Sequence, residues 1–412
     1  MTTRLAKAIT EGTGLLRAPQ RALSLAQRLL ADRVRMTFEQ RHLYSYSTTK
    51  RSSKDVLNSV VRWIVDAQRP DGGIPAYYSL LTGFSESYPE VTGYIVPTLY
   101  DFAKESRDAD ALASAERATG WLLSLQMPTG AFPGGLHGHD NHPSIFNTGQ
   151  ILQGLVRAYA ETSQPEIRQS SLAAGDWLIN VQQPDGCWSG PGAYQDASHT
   201  YYSMVAWSLA ELSGRTGERQ YAVAAEKNLD WVLSHFRASG WVDGINLKGH
   251  PTYLHFIAYV LQGALECAIL QRRADAIDAA ANSAWILLRK FETNKSLAGA
   301  YDSDFSNGRT FACLTGNAQM SCVWLRLFEI TGDLRYLNAA LKINEMLKQA
   351  IPARGPKGIA GGVAGSYPLW GLYQPFRYIS WGCKFFADAL LLESRLTRSF
   401  RTAALEALPC AS

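Results

Sequence analysis

The sequence lacks the features typical of disulfide-stapled, membrane-spanning and secreted proteins. Its six cysteines include no Cys-x-x-Cys pair and are sparse over 412 residues, which argues against a disulfide-stapled scaffold. No uninterrupted apolar run reaches the roughly 18 residues of a membrane-spanning helix. The first 20 residues lack the continuous apolar core of a signal peptide. We therefore expect a cytoplasmic protein with reduced thiols and no spanning helix.

Charged residues are also few, at 18% of the chain, and they are unevenly distributed. Residues 1–50 hold nine Lys or Arg against three acidic residues, a charge of +6, so the other 362 residues sum to −2 against a total of +4. A body so close to neutral argues against a broad nucleic-acid-binding face. We interpret residues 1–50 as a basic helical extension. Its moderately amphipathic segment 17–35 either packs over the outside of the protein or lies peripherally on an anionic membrane.

A tryptophan recurs along the chain at nearly regular intervals. Steps of 58, 56, 54 and 54 residues separate Trp63, Trp121, Trp177, Trp231 and Trp285. A Gln-x-Pro-(Asp/Thr)-Gly phrase begins five residues after each of the first three, at Gln68, Gln126 and Gln182. Pro and Gly stop a helix there, and we expect the Gln and Asp side chains to hydrogen-bond the turn and the last helix carbonyls.

Each interval is long enough for two helices and a loop. The segments that carry the tryptophans have apolar residues three and four apart, which predicts half-buried helices. The segments after the Gly- and Pro-rich loops, such as 253–270, are apolar nearly all round, which predicts buried helices. A sixth, weaker copy has Met346 in place of tryptophan. We predict an all-α fold, an (α/α)6 toroid of six outer–inner hairpins over residues 51–396, followed by a frayed tail at 397–412.

The tryptophan repeat resembles the QW-type repeats of squalene–hopene cyclases and their α-toroid relatives. The DxDD acid of class II cyclases is missing, because the nearest stretch, YDSDF, lacks an adjacent aspartate pair. Over residues 55–395 the chain resembles the VpsJ-like proteins of bacterial exopolysaccharide biosynthesis, through stretches such as FNTGQILQGLVRAY and LTGNAQMSCVWLRLFEITGD. This second resemblance implies a role in polysaccharide assembly or modification, and it implies no mechanism.

A third resemblance is local. SESYPEVTGYIVPTLYDFA is similar to a Glu-x-Tyr-Pro segment of glucuronyl C5-epimerases, in which a tyrosine serves as acid or base at a uronate carbon. Glu86, Tyr88 and Pro89 are the residues that match.

Polar and aromatic residues concentrate where each long loop meets a buried helix, at one mouth of the predicted ring. Six of the seven histidines of the toroid fall there, with His235, assigned to an outer helix, as the exception. Aromatic rings stack on sugars, and Arg or Lys binds carboxylate or sulfate, so we predict an anionic glycan as the partner. The candidate catalytic residues are Tyr88, His199, Tyr253, Glu86, Glu90 and Asp196. The candidate substrate-binding residues are Asn147, His142, Tyr201, His250, His255, Asn317, Gln319, Trp370, Tyr373, Arg377, Tyr378, Trp381 and Lys384.

Three functions remain open, and none calls for a cofactor. Epimerisation or elimination at a uronate needs a group that neutralises the carboxylate, a base for the C5 proton and an acid; the candidates for these parts are Asn147, Arg377, His199, Tyr88 and Tyr253. Glycoside hydrolysis needs two carboxyls roughly 5–10 Å apart, formed by Glu86 or Glu90 with Asp196, or by Asp302 with Asp304. The third function is a non-catalytic glycan-binding protein or a scaffold for polysaccharide assembly proteins.

Some candidates also have purely structural explanations. Glu90 lies at the start of a buried helix, where a carboxylate favours the helix dipole. The run HGHDNH at 137–142 has metal-binding residue types at a spacing that is not a standard zinc pattern, so we expect a solvated loop without metal. Asn317 and Gln319 lie on an otherwise apolar helix, and because a buried amide needs a hydrogen-bond partner, we expect them to meet a ligand.

Overall fold

The computed structural model describes residues 50–139 and 141–406 together with Gln27, and side chains up to residue 398. Most of the predicted basic extension therefore lies outside the described residues. Twelve α-helices follow one another along the described chain. Six form an outer set: α1 Ser53–Ala67, α3 Ala109–Ser124, α5 Pro165–Asn180, α7 Arg219–Leu233, α9 Ala274–Asn294 and α11 Leu334–Ala350. Six form an inner set: α2 Pro89–Ser106, α4 Ile145–Thr162, α6 Ser203–Thr216, α8 Leu254–Gln271, α10 Leu314–Thr331 and α12 Ser380–Glu406.

The two sets form concentric rings. Each inner helix contacts the next inner helix, and α12 contacts α2, so the inner ring closes on itself. Each outer helix packs on the inner helix that precedes it, with α1 packed on α12. The amphipathic pattern explains the division, because α1 buries Val56, Val60 and Ile64 while Arg62 and Asp66 face outwards. The predicted (α/α)6 toroid is confirmed.

Small residues allow the inner helices to approach one another closely. A Cβ added to Gly154 of α4 would lie only 2.3 Å from the carbonyl oxygen of Gly93 in α2. A Cβ on Gly263 of α8 would meet the backbone of α6 at 2.5 Å. Glycine is therefore needed where these backbones cross.

One end of the ring is formed by five links of two residues each, at 107–108, 163–164, 217–218, 272–273 and 332–333. Each link begins with a residue in the left-handed region, with φ between 55° and 78° (Arg107, Ser163, Gly217, Arg272 and Gly332). The second residue of each link is extended and caps the next helix. Where this residue is aspartate, at Asp108 and Asp333, its carboxylate accepts a hydrogen bond from a backbone N–H in the first turn of that helix. We call this end, with the adjoining helix turns, the linker face.

The six long connections lie at the opposite end, the mouth, and they contain short strands that the all-α prediction did not include. The strands are β1 Tyr77–Ser79, β2 Gly83–Phe84, β3 Thr252–Tyr253, β4 Ala300–Tyr301, β5 Ala312–Cys313, β6 Ser366–Tyr367 and β7 Arg377–Ile379. They form three antiparallel sheets, ordered β2-β1-β7, β3-β4 and β5-β6. Extended connections that cross beside one another satisfy their backbone groups by pairing, which explains these strands.

Backbone hydrogen bonds join every neighbouring pair of mouth connections. The three sheets join the first connection to the sixth, the fourth to the fifth, and the fifth to the sixth. The remaining junctions are His137 N to Ser87 O at 2.8 Å, Ile145 N to Gly192 O at 2.9 Å and Thr200 N to Gly244 O at 3.1 Å. The mouth is therefore a closed circle of loops, which holds the side chains it carries in place.

The repeated glutamines hydrogen-bond their own turns, as the sequence predicts, but their second partner is a carbonyl of the next outer helix and not the end of their own helix. Gln68 Nε2 donates to its own turn at Gly72 O (2.8 Å) and to the next outer helix at Ser114 O (3.0 Å). Gln126 bonds Gly130 O and Ser170 O, and Gln182 bonds Gly186 O and Ala224 O, all at 2.9–3.0 Å. Each glutamine thus closes one turn and ties one outer helix to the next.

The fourth repeat keeps the turn without the glutamine. Arg237 N donates to Trp241 O and Gly240 N to Arg237 O, as in the first three copies. Ser283 of the next outer helix donates its hydroxyl to Gly240 O at 2.6 Å. A serine on the neighbouring helix therefore replaces the contact that glutamine makes in the other repeats.

Changing Gln182 to alanine should destabilise the protein by about 1–3 kcal/mol, because Gly186 O and Ala224 O each lose one hydrogen bond. The measurement is the free energy of unfolding by urea. Gln183→Ala is the matched control, since the exposed Gln183 engages the turn through its backbone. An equal loss in both variants would mean that the side chain of Gln182 does not tie the helices together.

Two further expectations are revised by the structure. The backbone of α12 continues to Glu406, so the predicted tail at 397–412 begins inside a helix. By length and composition α8 could cross a membrane, with a mean hydropathy of 1.3, although the sequence suggested no such segment. Since 78% of α8 is buried within the ring, its apolar surface is explained by packing.

Candidate active site

Glu90 and Tyr88 form a hydrogen-bonded pair where the first mouth connection enters α2. Tyr88 is the residue before the helix, Pro89 occupies the first helical position, and the Tyr88 hydroxyl donates to Glu90 Oε2 at 2.6 Å. Glu90 is only 7% exposed, and burial raises the pKa of its carboxyl to about 7, against the opposing effect of the Tyr88 hydrogen bond. A carboxylate that served only the helix dipole would be solvated, so the dipole alone does not explain this placement.

Tyrosines from several elements surround the Glu90 carboxyl. Its charge contributes to raised pKa values for Tyr94 of α2, Tyr259 of α8 and Tyr373 of the sixth connection, for which burial is the largest cause. Burial likewise raises the pKa of Tyr201 well above its usual range, and the Glu90 charge adds to this effect. These phenols therefore stay protonated and line the site with hydroxyl groups.

Tyr194 extends the pair towards the surface. Its side chain is 42% exposed and is hydrogen-bonded to Tyr88, whose pKa is raised well above its usual range by burial and then by the charge of Glu90. The backbone N–H of Tyr194 donates a hydrogen bond to the Tyr202 hydroxyl oxygen at 2.7 Å, which anchors the loop. A chain of hydroxyls thus leads from the exposed Tyr194 through Tyr88 to the buried Glu90.

His255 and Gln319 meet across the inner ring. His255 Nδ1 and Gln319 Oε1 are 2.6 Å apart, and Gln319 Nε2 lies 3.5 Å from Gln262 Oε1. Burial lowers the pKa of His255 to about 3, so the imidazole is neutral. Because the amide oxygen accepts from Nδ1–H, the other nitrogen, Nε2, carries the lone pair. Gln319, predicted to meet a ligand, instead orients a histidine.

His199 belongs to the wall of the site. Its ring stacks on Tyr201 with centroids 4.9 Å apart and planes 13° from parallel. Its Nε2 lies 3.0 Å from Tyr194 O, and burial lowers its pKa, so the ring is neutral. The predicted catalytic His199 therefore supports the loop that carries Tyr194.

The other predicted aromatic residues form a second part of the wall. The Tyr253 hydroxyl donates to Leu372 O at 3.2 Å, and its ring lies 5.1 Å from that of Tyr373. Trp381 Nε1 donates to the Tyr373 hydroxyl at 2.8 Å. Tyr253, predicted as catalytic, thus holds the sixth connection in place. Tyr378 is buried within β7, paired with Tyr78, whereas Trp370 is half-buried.

Apart from Glu90, the carboxylates predicted for hydrolysis have exposed side chains. Glu86 is exposed and makes an ion pair with Arg69 at 3.1 Å, and Asp196 is exposed on its loop. Asp302 bonds Asn307 and Arg309, and Asp304 bonds Arg237 and Ser239, all on the surface. Within the described part of the chain no second carboxylate contributes to the raised pKa of Glu90.

Lys384 and Arg377 have different surroundings. Lys384 Nζ lies 2.6 Å from Asp388 Oδ2, one turn further along α12, and 4.1 Å from the ring centre of Phe385. Its charge is therefore neutralised inside the protein, which argues against its predicted contact with substrate. Arg377 is half-buried on β7, where its guanidinium stacks on Tyr77 at 4.1 Å and donates to Gln374 Oε1 at 2.9 Å.

The remaining predicted residues divide between surface and core. His142 and His250 are exposed on mouth loops. Asn147 is buried and donates to Pro133 O at 3.0 Å, and Asn317 is buried and donates to Cys313 O at 2.7 Å. His235 lies in the fourth mouth connection, just beyond α7, so its assignment to an outer helix was wrong.

Sequence reasoning missed Tyr94, Tyr194 and Tyr259. Tyr94 and Tyr259 follow Glu90 and His255 by four residues on their helices, so a search for polar residues at helical spacing would have found them. Tyr194 carries no such signal, because its loop sits beside Tyr88 only through the ring of mouth connections.

The comparisons with known proteins agree with this architecture. The family model of the squalene–hopene cyclase C-terminal domain matches residues 76–265, which run from the first mouth connection into α8. The described chain is an α/α toroid. No curated protein matches the sequence. The resemblance to VpsJ-like proteins stays a prediction.

Several solved structures share the toroid over most of the chain. Cellobiose 2-epimerase from Bacillus thermoamylovorans B4167 is 12% identical, with a TM-score of 0.69 over 84% of this chain and 98% of that chain. Unsaturated glucuronyl hydrolase from Bacillus sp. GL1 is 16% identical, with a TM-score of 0.67 over 84% and 97% of the two chains. D-mannose isomerase is 10% identical, with a TM-score of 0.64 over 85% and 100%. At these identities the likeness is one of fold.

Proposed function

We propose that the protein is a carbohydrate-active enzyme that transfers a proton at a sugar ring carbon of a uronate-containing polysaccharide, by epimerisation or elimination. The observation that carries this proposal is Glu90, a single carboxyl buried among tyrosines with a pKa of about 7 and the Tyr88 hydroxyl 2.6 Å away. A group with a pKa near the working pH is the efficient base for such chemistry. The resemblance to VpsJ-like proteins supports a role for this reaction in exopolysaccharide biosynthesis.

In this mechanism Glu90 removes the proton from C5 of the uronate. In elimination Tyr88, protonated because burial raises its pKa, gives a proton to the leaving oxygen on the same side of the ring. In epimerisation the new proton arrives at the opposite face of C5, for which the other tyrosines around Glu90 are the candidate donors. The exposed Tyr194 connects Tyr88 with solvent. Protons can therefore be exchanged with water, and Glu90 and Tyr88 regain their starting protonation states after each turnover. Neutral His255, oriented by Gln319, offers a lone pair to a sugar hydroxyl.

Recognition of the uronate carboxylate is assigned to Arg377 because it lies at the mouth with its guanidinium carbon 4.1 Å from the centre of the Tyr77 ring. A guanidinium held in this way can bind a carboxylate through two parallel hydrogen bonds. The buried rings of Tyr253, Tyr373 and Trp381 offer apolar faces to the sugar.

The fold neighbours support carbohydrate chemistry. They include cellobiose 2-epimerase, D-mannose isomerase and unsaturated glucuronyl hydrolase, the last described as responsible for degradation of glycosaminoglycan. Hydrolysis by a carboxylate pair receives less support than proton transfer, because Glu86 and Asp196 are exposed and Glu90 has no carboxylate partner in the described residues.

The test is to incubate the protein with uronate oligosaccharides in deuterated water and to follow deuterium at C5 by mass spectrometry. We expect incorporation, with kcat about 100-fold or more lower for Tyr88→Phe. Tyr159→Phe is the matched control, because Tyr159 is half-buried in α4 near the linker face.

Two other outcomes would contradict the proposal. New reducing ends without deuterium or unsaturation would identify a hydrolase. Glycan binding with neither exchange nor cleavage, weakened in proportion by Tyr88→Phe and Arg377→Ala, would identify a binding protein.

A further inference from the structure

The exposed apolar side chains of the protein gather at the linker face. Six large hydrophobic side chains are exposed in the described ranges, and five of them lie within five residues of a two-residue link. These five are between 40% and 49% exposed: Leu112, Val223, Leu270, Ile330 and Leu334. The sixth, Tyr194, belongs to the mouth. Single exposed hydrophobic residues are common, but their concentration at one end of a ring points to a surface that meets an apolar partner.

Exposed cations without a partner share this face. Within five residues of a link, five exposed basic side chains make no ion pair in the described part of the chain: Lys104, Arg107, Arg215, Arg219 and Arg272. Most acids there are engaged by arginine, as Asp101 is by Arg157 and Glu218 by Arg168. Glu166 and Asp278 are the exposed acids there without such a partner among described residues. The charges free to act on a partner are therefore mostly positive.

The basic N-terminal segment joins the ring at the same face. Outer helices run from the linker face to the mouth, so Lys50, just before α1, lies at the linker face. Residues 1–50 carry nine Lys or Arg against three acids. A segment with this charge adds to the attraction that the five free cations exert.

We propose that the linker face docks on an anionic lipid surface, with the mouth turned away from the membrane. Basic side chains near an anionic leaflet each contribute to binding, and shallow insertion of Leu and Ile adds to it. The five apolar residues are spread over α3, α7, α8, α10 and α11. A flat lipid surface reaches points spread round a ring, whereas a peptide would occupy one groove. In this orientation the mouth faces the aqueous phase.

The experiment is co-sedimentation of the full-length protein with phosphatidylglycerol-containing vesicles and with pure phosphatidylcholine vesicles. We expect binding to the anionic vesicles alone. The pair Lys104→Glu with Arg107→Glu, and the pair Leu270→Gln with Leu334→Gln, should each weaken that binding about tenfold or more. Circular dichroism checks that each variant is folded.

Matched controls change the same properties at the other end of the ring. Arg354→Glu with Lys357→Glu alters charge equally on an exposed mouth loop, and Tyr194→Gln removes the exposed apolar residue of the mouth. Both should bind vesicles as the unmodified protein does. The proposal is overturned if neither vesicle binds, if linker-face and mouth variants behave alike, or if soluble heparin is bound as tightly and the leucine variants leave vesicle binding unchanged.

Discussion

Replacing Glu90 with glutamine should remove turnover and, at pH 8, make the protein more stable. Glutamine keeps the shape and can accept the Tyr88 hydrogen bond, but it cannot take a proton from the substrate. We expect kcat to fall about 100- to 10,000-fold, the range for loss of a general base. The measurement is the rate of deuterium incorporation into the sugar, compared with the free energy of unfolding of the same variant.

The gain in stability follows from the raised pKa of Glu90. Since the folded pKa, about 7, exceeds the ordinary value of 4.5, the folded state binds more protons than the unfolded state between these values. Stability from this group is therefore fully present below pH 4.5 and is lost as pH rises through 7. The difference corresponds to about 3 kcal/mol at pH 8. Urea unfolding of Glu90→Gln should show that gain at pH 8 and little difference at pH 4.

Glu86→Gln is the matched control, since Glu86 is exposed and four residues away. It should change neither turnover nor the pH dependence of stability. If Glu90→Gln kept its activity, Glu90 would not be the base. If it lost activity and stability together, the carboxyl would be a structural group and the proposed mechanism would be wrong.

Replacing Gly186 with alanine should lower the free energy of unfolding by about 3 kcal/mol or more. Gly186 ends the turn of the third glutamine phrase with φ at +91°, a conformation that costs an L-residue energy. An added Cβ would also lie 2.2 Å from Lys227 O on the next outer helix. This clash is between the turn and the backbone of α7, so it can be relieved only if α7 moves. That movement would disturb the hydrogen bonds from Gln182 and Asn228 to Gly186 O.

Gly190→Ala separates the two causes. Gly190 has φ at +77° in the same connection, but an added Cβ meets nothing within 4 Å. It should therefore cost about 1 kcal/mol from backbone conformation alone. Equal losses in the two variants, measured by urea unfolding, would show that the close approach of the turn to the next helix does not stabilise the ring.

The sequence by itself determined the ring and its polarity. Helix periodicity and helix-stopping Pro and Gly are short-range signals, so the repeat around Trp63, Trp121 and Trp177 was enough to predict six hairpins with all long loops at one end. The bonds of Gln68, Gln126 and Gln182 to their own turns were predictable for the same reason. Their bonds to the next outer helix come from the packing of the ring and were not predicted.

Only the tertiary structure decided which mouth residues form a site. Glu86 and Glu90 are four residues apart and chemically alike, yet one is solvated beside Arg69 and the other is buried among tyrosines of α2, α8 and the third and sixth connections. The pKa of Glu90 is raised by desolvation, and the residues that exclude water from Glu90 come from several repeats. No local sequence pattern predicts this effect. Tyr194 reaches Tyr88, and Gln319 reaches His255, because the ring closes and brings distant loops and helices together.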